Sequence, residues 1–264
     1  MVQTVTFPGL GWELELNRVA FSLFGMDFYW YGLLIAIGFI CAITYATRKA
    51  KTVGLNADAM TDVVFGATII GVIGARLYYV AFNWEYYSED LTRIFDTRRG
   101  GLAIYGGIIF GFLAGWLLGK WKKVRFLPLA DVASGGFLIA QSIGRWGNFF
   151  NEEAHGIPTD LPWAQIIDGV GYHPTFLYES IWCFGLFWLL SWIDKYHRKF
   201  NGQIICLYGI LYSVERFFVE GLRTDSLMIG PLRQAQVISL TLIAGCAVLY
   251  YILNRKHNNE KETL

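Results

Sequence analysis

The sequence is poor in charge. Only 16% of its 264 residues are Asp, Glu, Lys or Arg, and the formal net charge is +1. Hydrophobic residues make up 55% of the chain, whereas a soluble domain carries about 25% charged residues interspersed among its apolar ones. This composition excludes an ordinary soluble domain. The near-neutral charge also offers no basic footprint for nucleic acid, and we expect no nucleic-acid partner.

Several chemical motifs are missing as well. The sequence contains no P-loop, no Gly-x-Ser-x-Gly and no His-Glu-x-x-His, which argues against nucleotide-driven pumps, serine hydrolases and zinc proteases. Its four cysteines lie within apolar runs, without metal or redox spacing. We therefore expect no metal and no cofactor. The first 27 residues lack a basic n-region, so we expect no cleavable signal peptide.

Long apolar runs are abundant, and each is close to the roughly 20 residues that cross a bilayer. They predict an all-α polytopic membrane protein with about seven transmembrane helices, organised as one domain over residues 1–264. The predicted spans cover residues 28–47, 60–82, 101–119, 127–150, 175–193, 202–222 and 235–253.

The basic residues are distributed unevenly between the connections. Of the 22 lysines and arginines, thirteen fall in connections on one side of the predicted spans and six on the other. The richer side is cytoplasmic by the positive-inside rule. This predicts an outside N-terminus and a cytoplasmic C-terminus. The segments at about 1–27, 83–100 and 151–172 then face outward.

Three arginines fall within the predicted spans, where a charge is expensive and usually faces a protein interior or a wet cavity. Arg76 lies near a span end, and we interpret it as snorkelling to the headgroups. A further stripe of Gly107, Gly111, Gly115 and Gly119 in the third span predicts close helix packing.

The sixth span places Tyr212, Arg216 and Glu220 on one helical face, and Arg223 continues that face. Arg216 and Glu220 can pair across one turn. Such a pair is either purely structural or holds the guanidinium rigidly for a phosphate.

The fourth span ends with Arg145 and Asn148 on roughly one face, after which Asn151, Glu152 and Glu153 emerge. Two arginines on separate helices near the same leaflet suit an anionic lipid headgroup. The residues alone indicate a phosphate-like ligand in a lipid-accessible cavity and leave its identity open.

The motifs together resemble one family, the bacterial prolipoprotein diacylglyceryl transferases. The segment GRWGNFFNEE at 144–153 is similar to the family signature Gly-Arg-x-Gly-Asn-Phe-x-Asn-x-Glu. Further similar segments follow the family's order along nearly the whole chain. They are YWYG at 29–32, GARLYYV at 74–80, HPTFLYE at 173–179 and YSVERFFVEGLR at 212–223.

The resemblance implies a multi-pass enzyme of the bacterial plasma (inner) membrane. Such an enzyme moves the diacylglyceryl group of phosphatidylglycerol onto the thiol of the lipobox cysteine in the signal peptide of a preprolipoprotein, and releases glycerol 1-phosphate. The implied partners are phosphatidylglycerol, the preprolipoprotein and membrane lipids. The residues implied as catalytic or substrate-binding are Tyr31, Arg145, Asn148, Asn151, Glu153, Gly156, His173, Tyr212, Arg216, Glu220 and Arg223.

One position departs from the family pattern. Many members have histidine in a Gly-Gly-x-x-x-His-Gly-Gly stretch, whereas Tyr105 stands there in GGLAIYGG at 100–107. Tyrosine titrates near about 10 and histidine near about 6.5, so a simple histidine base does not apply at this position. We expect Tyr105 to orient the headgroup instead. A transporter or binding protein for an anionic lipid is the alternative function.

Overall fold

The computed structural model describes residues 2–97, 100–224 and 226–262, and nearly all of its regular structure is helical. Within these ranges seven helices have 18 or more residues, and α3 is a short additional one. The helices are α1 (Trp30–Thr52), α2 (Ala57–Phe82), α3 (Trp84–Ser88), α4 (Ile104–Trp121), α5 (Phe126–Asn151), α6 (Thr175–Tyr196), α7 (Gln203–Leu222) and α8 (Gln234–Glu262).

Six of the long helices are long and apolar enough to cross a bilayer, so the chain is a polytopic helical membrane protein, as its composition predicted. The exception among the long helices is α7, in which every 18-residue window contains Glu215, Arg216 and Glu220. Its 20 residues would extend about 30 Å, the thickness of the hydrocarbon core. The count of seven spans and the orientation stay predictions.

Side-chain oxygens cap the starts of two of the long helices, α2 and α7. Asn56 precedes α2 and its side chain accepts the Ala59 N–H. The start of α7 is capped from α5, because the Asp131 carboxylate accepts the backbone N–H groups of Gly202 and Ile205 at 2.7 and 3.0 Å. The same carboxylate pairs with Arg198 at 2.9 Å. This link sets the position of α7 against α5.

The chain divides into two compact units, one formed by residues 1–45 and 130–264 and the other by residues 46–129. The prediction of a single domain stays a prediction. In the second unit α2 packs along α4, where Gly107 and Gly111 lie close to the backbone of Gly71 and Ala67. The glycine stripe is therefore a packing surface, as predicted.

The snorkelling interpretation of Arg76 is wrong. Its side chain is buried within the second unit, and its guanidinium lies 5.2 Å from the Tyr87 ring centroid. All five donors of a guanidinium are accommodated by backbone carbonyls of the connection between α3 and α4. The acceptors, at 2.7–3.0 Å, belong to Arg93, Ile94, Asp96, Gly100 and Gly101. Arg76 thus holds this connection in shape rather than reaching for lipid.

The first unit contains an antiparallel sheet that the sequence analysis did not predict. The strands of the chain are β1 (Val2–Phe7), β2 (Trp12–Asn17), β3 (Val19–Leu23), β4 (Met26–Tyr29), β5 (Gln165–Ile167), β6 (Val170–Tyr172), β7 (Met228–Ile229) and β8 (Leu232–Arg233). The strand order of the sheet is β2-β1-β5-β6, and β1 pairs with β2 along its whole length. A two-stranded hairpin, β3–β4, precedes α1, and a second, β7–β8, precedes α8.

The sheet is fastened to the ends of two helices by an apolar cluster. Val5, Phe7 and Leu16 from the sheet are buried with Phe149 of α5 and Phe176 of α6. The two helix phenylalanines stack at 4.7 Å between ring centroids. Phe149 lies four residues after Arg145, and Phe176 lies three residues before Glu179. The sheet therefore fixes the ends of the two helices that carry these charged residues.

Candidate functional site

Two sets of side-chain hydrogen bonds between α5 and α7 position Arg145. Gln141 and Tyr208 hydrogen-bond through their side chains at 3.0 and 3.2 Å. One helical turn further on, Arg145 Nη2 donates to the Tyr212 hydroxyl at 3.3 Å. Residues four apart lie on one face of a helix, so both contacts follow from a single register of the two helices.

A second pair of contacts fixes α6 against α5. The Ser142 hydroxyl donates to the Ser180 carbonyl at 3.0 Å, and the Ser180 hydroxyl donates to the Ser142 carbonyl at 2.8 Å. Trp146 Nε1 donates to the same Ser180 hydroxyl at 3.1 Å. Glu179, the neighbour of Ser180, is thereby held in the interior beside α5 and α7.

Glu179 is the centre of a buried ion-pair cluster. Its Oε1 accepts a hydrogen bond from Arg216 Nη1 at 2.8 Å, and its Oε2 lies 3.0 Å from Arg145 Nη1 as an ion pair without hydrogen-bond geometry. Arg216 Nη2 donates to Glu220 Oε2 at 2.6 Å. The predicted pairing of Arg216 with Glu220 is therefore confirmed. One carboxylate joins the arginines of two helices.

The cluster is formally neutral, with two guanidinium groups and two carboxylates. The carboxylates are almost fully buried, whereas the side chains of Arg145 and Arg216 remain 20% and 21% exposed. A guanidinium has five N–H donors, and the described residues engage no more than two on either arginine. The arrangement therefore holds two rigid cations with donors left for an external anion.

The end of α5 is closed by a left-handed cap. Glu152 has φ +54°, and the N–H groups of Glu152 and Glu153 donate to the carbonyls of Phe149 and Asn148. These two bonds form the Schellman pattern that ends many helices. Glu153 is exposed, and its Oε1 accepts from Asn151 Nδ2 at 3.5 Å. This end of α5 therefore gathers Asn148, Asn151 and Glu153.

Glu152 has a structural part in the cap, because it occupies the left-handed position. Partial burial raises the pKa of its carboxyl. The nearby positive charge of Arg18 lowers that pKa, and the negative charge of Asp168 raises it further.

Backbone contacts bring Gly156, His173 and Arg223 together. Gly156 N–H donates to the His173 carbonyl at 2.9 Å, and Gly156 forms an isolated antiparallel bridge with Arg223. A Cβ at Gly156 would lie 2.7 Å from His173 Cβ, so this approach requires glycine. The His173 ring lies 3.2 Å from the Tyr178 hydroxyl. Gly156, His173 and Arg223 therefore lie where three segments of the backbone approach closely, and we call this place the backbone crossing.

Two of the three predicted tyrosines, Tyr31 and Tyr105, lie in different units. Tyr31, near the start of α1, packs against Gly147 and lies within electrostatic range of Glu153 and Arg145. Tyr105 belongs to α4 in the unit formed by residues 46–129.

Sequence reasoning missed Glu179 as a site residue. It falls in the HPTFLYE segment at 173–179, so the motif pointed to it, but its role depends on the registers of three helices. Glu215 was also missed. This residue is buried, and both its carboxyl oxygens have no hydrogen-bond partner among the described residues.

Potential metal ligands do not converge in the part of the chain that the structure describes. There, no group of three or more His, Cys, Asp or Glu side chains could hold a metal ion.

Comparison with known proteins assigns the chain to a family. Residues 18–252 match the family model described as prolipoprotein diacylglyceryl transferase. The chain belongs to this family. The match includes both arginines of the ion-pair cluster and every other residue predicted for the site.

Three relatives carry the name phosphatidylglycerol–prolipoprotein diacylglyceryl transferase. The protein from Clostridioides difficile (strain 630) is 52% identical, over 92% of this chain and 98% of the relative. The protein from Finegoldia magna is 49% identical, over 89% and 94%. The protein from Clostridium novyi (strain NT) is 45% identical, over 92% and 98%. The similarity thus extends over nearly the full length of these family members.

Proposed function

We propose that this chain transfers the diacylglyceryl group of phosphatidylglycerol to the thiol of the lipobox cysteine of preprolipoproteins, the first step of lipoprotein maturation. The observation that carries the proposal is the Arg145–Glu179–Arg216–Glu220 cluster in a chain of this family. Two fixed guanidinium groups in a membrane protein suit the phosphate of an anionic lipid.

The reaction forms one carbon–sulfur bond and breaks one carbon–oxygen bond. The thiolate attacks the glyceryl carbon that carries the phosphate ester, and glycerol 1-phosphate leaves with the electron pair of that bond. Negative charge grows on the phosphate as the bond breaks. Arg145 and Arg216 stabilise this charge, and prepositioned donors in a water-poor site can contribute about 3–4 kcal/mol each.

The carboxylates have two roles in the proposed reaction: they hold the arginines, and one of them accepts the thiol proton. Glu179 and Glu220 hold the guanidinium groups, which limits the reorganisation needed when the phosphate binds. The thiol, with an ordinary pKa of about 8.5, must lose its proton. Glu153 and Glu220 are our candidates to accept it, and Glu153 lies within electrostatic range of Tyr31.

The remaining predicted residues have binding roles in the proposal. Tyr212 supports Arg145 through its hydroxyl, while Asn148 and Asn151 offer amide donors and acceptors at the end of α5. The crossing of Gly156, His173 and Arg223 shapes a neighbouring wall of the site. Tyr31 and Tyr105 are instead proposed as catalytic residues, Tyr105 by orienting the headgroup through a hydrogen bond.

Both substrates are membrane-bound, so we propose that they enter laterally between helices of the bacterial plasma membrane. The N-terminus then lies outside and the C-terminus in the cytoplasm, as the basic residues predict. No cofactor is needed for the displacement.

The test uses the purified chain in nanodiscs with phosphatidylglycerol and a synthetic lipobox peptide. Mass spectrometry should detect a peptide carrying one diacylglyceryl group in thioether linkage, together with glycerol 1-phosphate. Discs of phosphatidylcholine alone should give neither product. The absence of thioether product, while a relative assayed in parallel forms it, would refute the transferase proposal and favour an anionic-lipid transporter or binding protein.

Arg145→Ala tests the site assignment separately. We expect it to lower kcat by about 10²–10³-fold, the typical cost of removing one charge-stabilising donor. Unchanged kcat in this variant would remove Arg145 from the reaction while leaving the transferase activity itself established.

A further inference from the structure

The β3–β4 hairpin has one apolar and one polar face. Its cross-strand pairs are Phe21 with Phe28, Ser22 with Asp27, and Leu23 with Met26. Successive residues of a strand point to opposite faces, so the first and third pairs share a face and the second pair lies on the other. The hairpin is therefore amphipathic.

The apolar face is open in this structure. Phe21, Leu23, Met26 and Phe28 are each 41–52% exposed, and the two phenylalanine rings stack at 4.8 Å. Phe24, at the tip, is 90% exposed. On the opposite face the Ser22 hydroxyl donates to the Asp27 carboxylate at 2.6 Å.

This hairpin has little support from other strands, because it forms a separate two-stranded sheet. Isolated two-stranded hairpins are at best marginally stable in water, and an exposed apolar sheet face promotes association. We therefore expect another apolar surface to cover this face of the hairpin.

The hairpin continues directly into α1, and this connection indicates which partner covers its apolar face. β4 ends at Tyr29 and α1 begins at Trp30, whose N–H donates to the carbonyl of Arg18 at the base of the hairpin. Trp30 also stacks on Phe150 at the end of α5, at 5.0 Å. Both α1 and α5 are helices long and apolar enough to span a membrane. The base of the hairpin is thus attached where these helices end.

We propose that the β3–β4 hairpin is an interfacial anchor whose apolar face embeds in the lipid bilayer, at the level of the headgroups and upper acyl chains. The strands extend only about 15 Å, given a rise of about 3.3 Å per residue. By lying against the bilayer, the hairpin covers its phenylalanine, leucine and methionine side chains with lipid and leaves Ser22 and Asp27 toward water. Amphipathic segments and aromatic side chains favour this layer.

The hairpin's contact with lipid can be measured directly with a fluorine probe. A trifluoromethyl-phenylalanine is introduced in three separate variants, at Phe24, at Leu23 and, as the matched control on the polar face, at Ser22. Each variant is placed in nanodiscs at one copy per disc, in phosphatidylcholine with phosphatidylglycerol. ¹⁹F relaxation is then recorded with an acyl-chain nitroxide lipid and, separately, with a water-soluble gadolinium chelate.

The nitroxide lipid should broaden the probes at Leu23 and Phe24 several-fold more than the probe at Ser22, and the gadolinium chelate should show the reverse order. At position 24 the probe replaces a phenylalanine of nearly the same size, at an exposed tip of the hairpin. The Phe24 result therefore does not depend on whether the strands tolerate a larger side chain at Leu23 or Ser22. Equal broadening of all three probes by gadolinium would overturn the proposal. Shielding of Leu23 and Phe24 that appears only with two copies per disc would assign the face to a second copy of the chain and would also overturn it.

Discussion

Glu179 is the residue whose replacement by glutamine should most sharply test the ion-pair cluster. Glu179→Gln keeps the shape of the side chain but removes the negative charge shared by Arg145 and Arg216, at 3.0 and 2.8 Å. Removing one partner of a buried ion pair costs about 3–5 kcal/mol. Glu220 still pairs with Arg216, and both arginines are about one-fifth exposed, so we expect about 3 kcal/mol of destabilisation.

The effect on activity should fall on kcat rather than on the KM for phosphatidylglycerol. Without Glu179 the guanidinium groups lose their common anchor, and the loss of positioned donors lowers kcat by about 10²-fold or more. The cluster simultaneously changes from formally neutral to a charge of +1, which attracts the phosphate and keeps KM from rising. Both constants are obtained in nanodiscs by varying the fraction of phosphatidylglycerol and quantifying the thioether peptide by mass spectrometry.

Glu215→Gln is the matched control for this prediction. Glu215 is buried in the same helix bundle, but its carboxyl oxygens have no hydrogen-bond partner among the described residues, so the substitution removes no ion pair. We expect Glu215→Gln to lose clearly less stability in thermal unfolding than Glu179→Gln, because it breaks no ion pair. A Glu179→Gln protein that matched this control in both stability and kcat would refute the role given to Glu179.

Three further substitutions test parts of the structure around the site. Gly156→Ala places a Cβ 2.7 Å from His173 Cβ and should destabilise by about 1–3 kcal/mol in thermal unfolding; an unchanged midpoint would contradict the tight crossing. Arg76→Lys offers three donors where five carbonyl contacts exist, so limited proteolysis should cleave the connection between α3 and α4 faster, and an unchanged rate would contradict its bracing role. Asp131→Asn weakens both the α7 cap and the Arg198 pair, and should cost about 2 kcal/mol in denaturant unfolding; a loss below about 0.5 kcal/mol would contradict the cap.

Hydropathy located the helices well because lipid imposes a length on them. The predicted span 127–150 corresponds to helix Phe126–Asn151, and the predicted span 175–193 corresponds to helix Thr175–Tyr196. The last helix shows the limit of this signal, since the predicted span ended at 253 and α8 continues to Glu262. Apolar residues indicate only the part of a helix that lies in hydrocarbon. The last residues of α8 are polar, so hydropathy did not detect that the helix continues through them.

Local spacing revealed contacts within one helix but not those between helices. The pairing of Arg216 with Glu220 follows from a separation of four residues. The attachment of both arginines to Glu179 depends on how α5, α6 and α7 are aligned, which no single stretch of sequence specifies. Likewise, β1 pairs with β5 at Thr6 and Ile166, and the short strand β5 gave no pattern by which this distant partner could be identified.

Arg76 was misread for a related reason. Its sequence position near a span end is the same for a snorkelling side chain and for a buried one. The distinction lies in the connection between α3 and α4, which turns five carbonyl groups toward the guanidinium. A sequence pattern that considers only apolar residues does not register such backbone acceptors.

The charges of α7 have a consequence for how the protein is assembled. A charged residue near the centre of an inserting helix costs about 2.5–3.5 kcal/mol at the translocon, and α7 carries Glu215, Arg216 and Glu220 within six residues. This segment is therefore a poor candidate for independent release into lipid. Its neighbour α6 supplies Glu179 to Arg216, and α8 packs along it. We expect α7 to wait beside the translocon until α8 has been synthesised, so that the three helices enter the bilayer as one group.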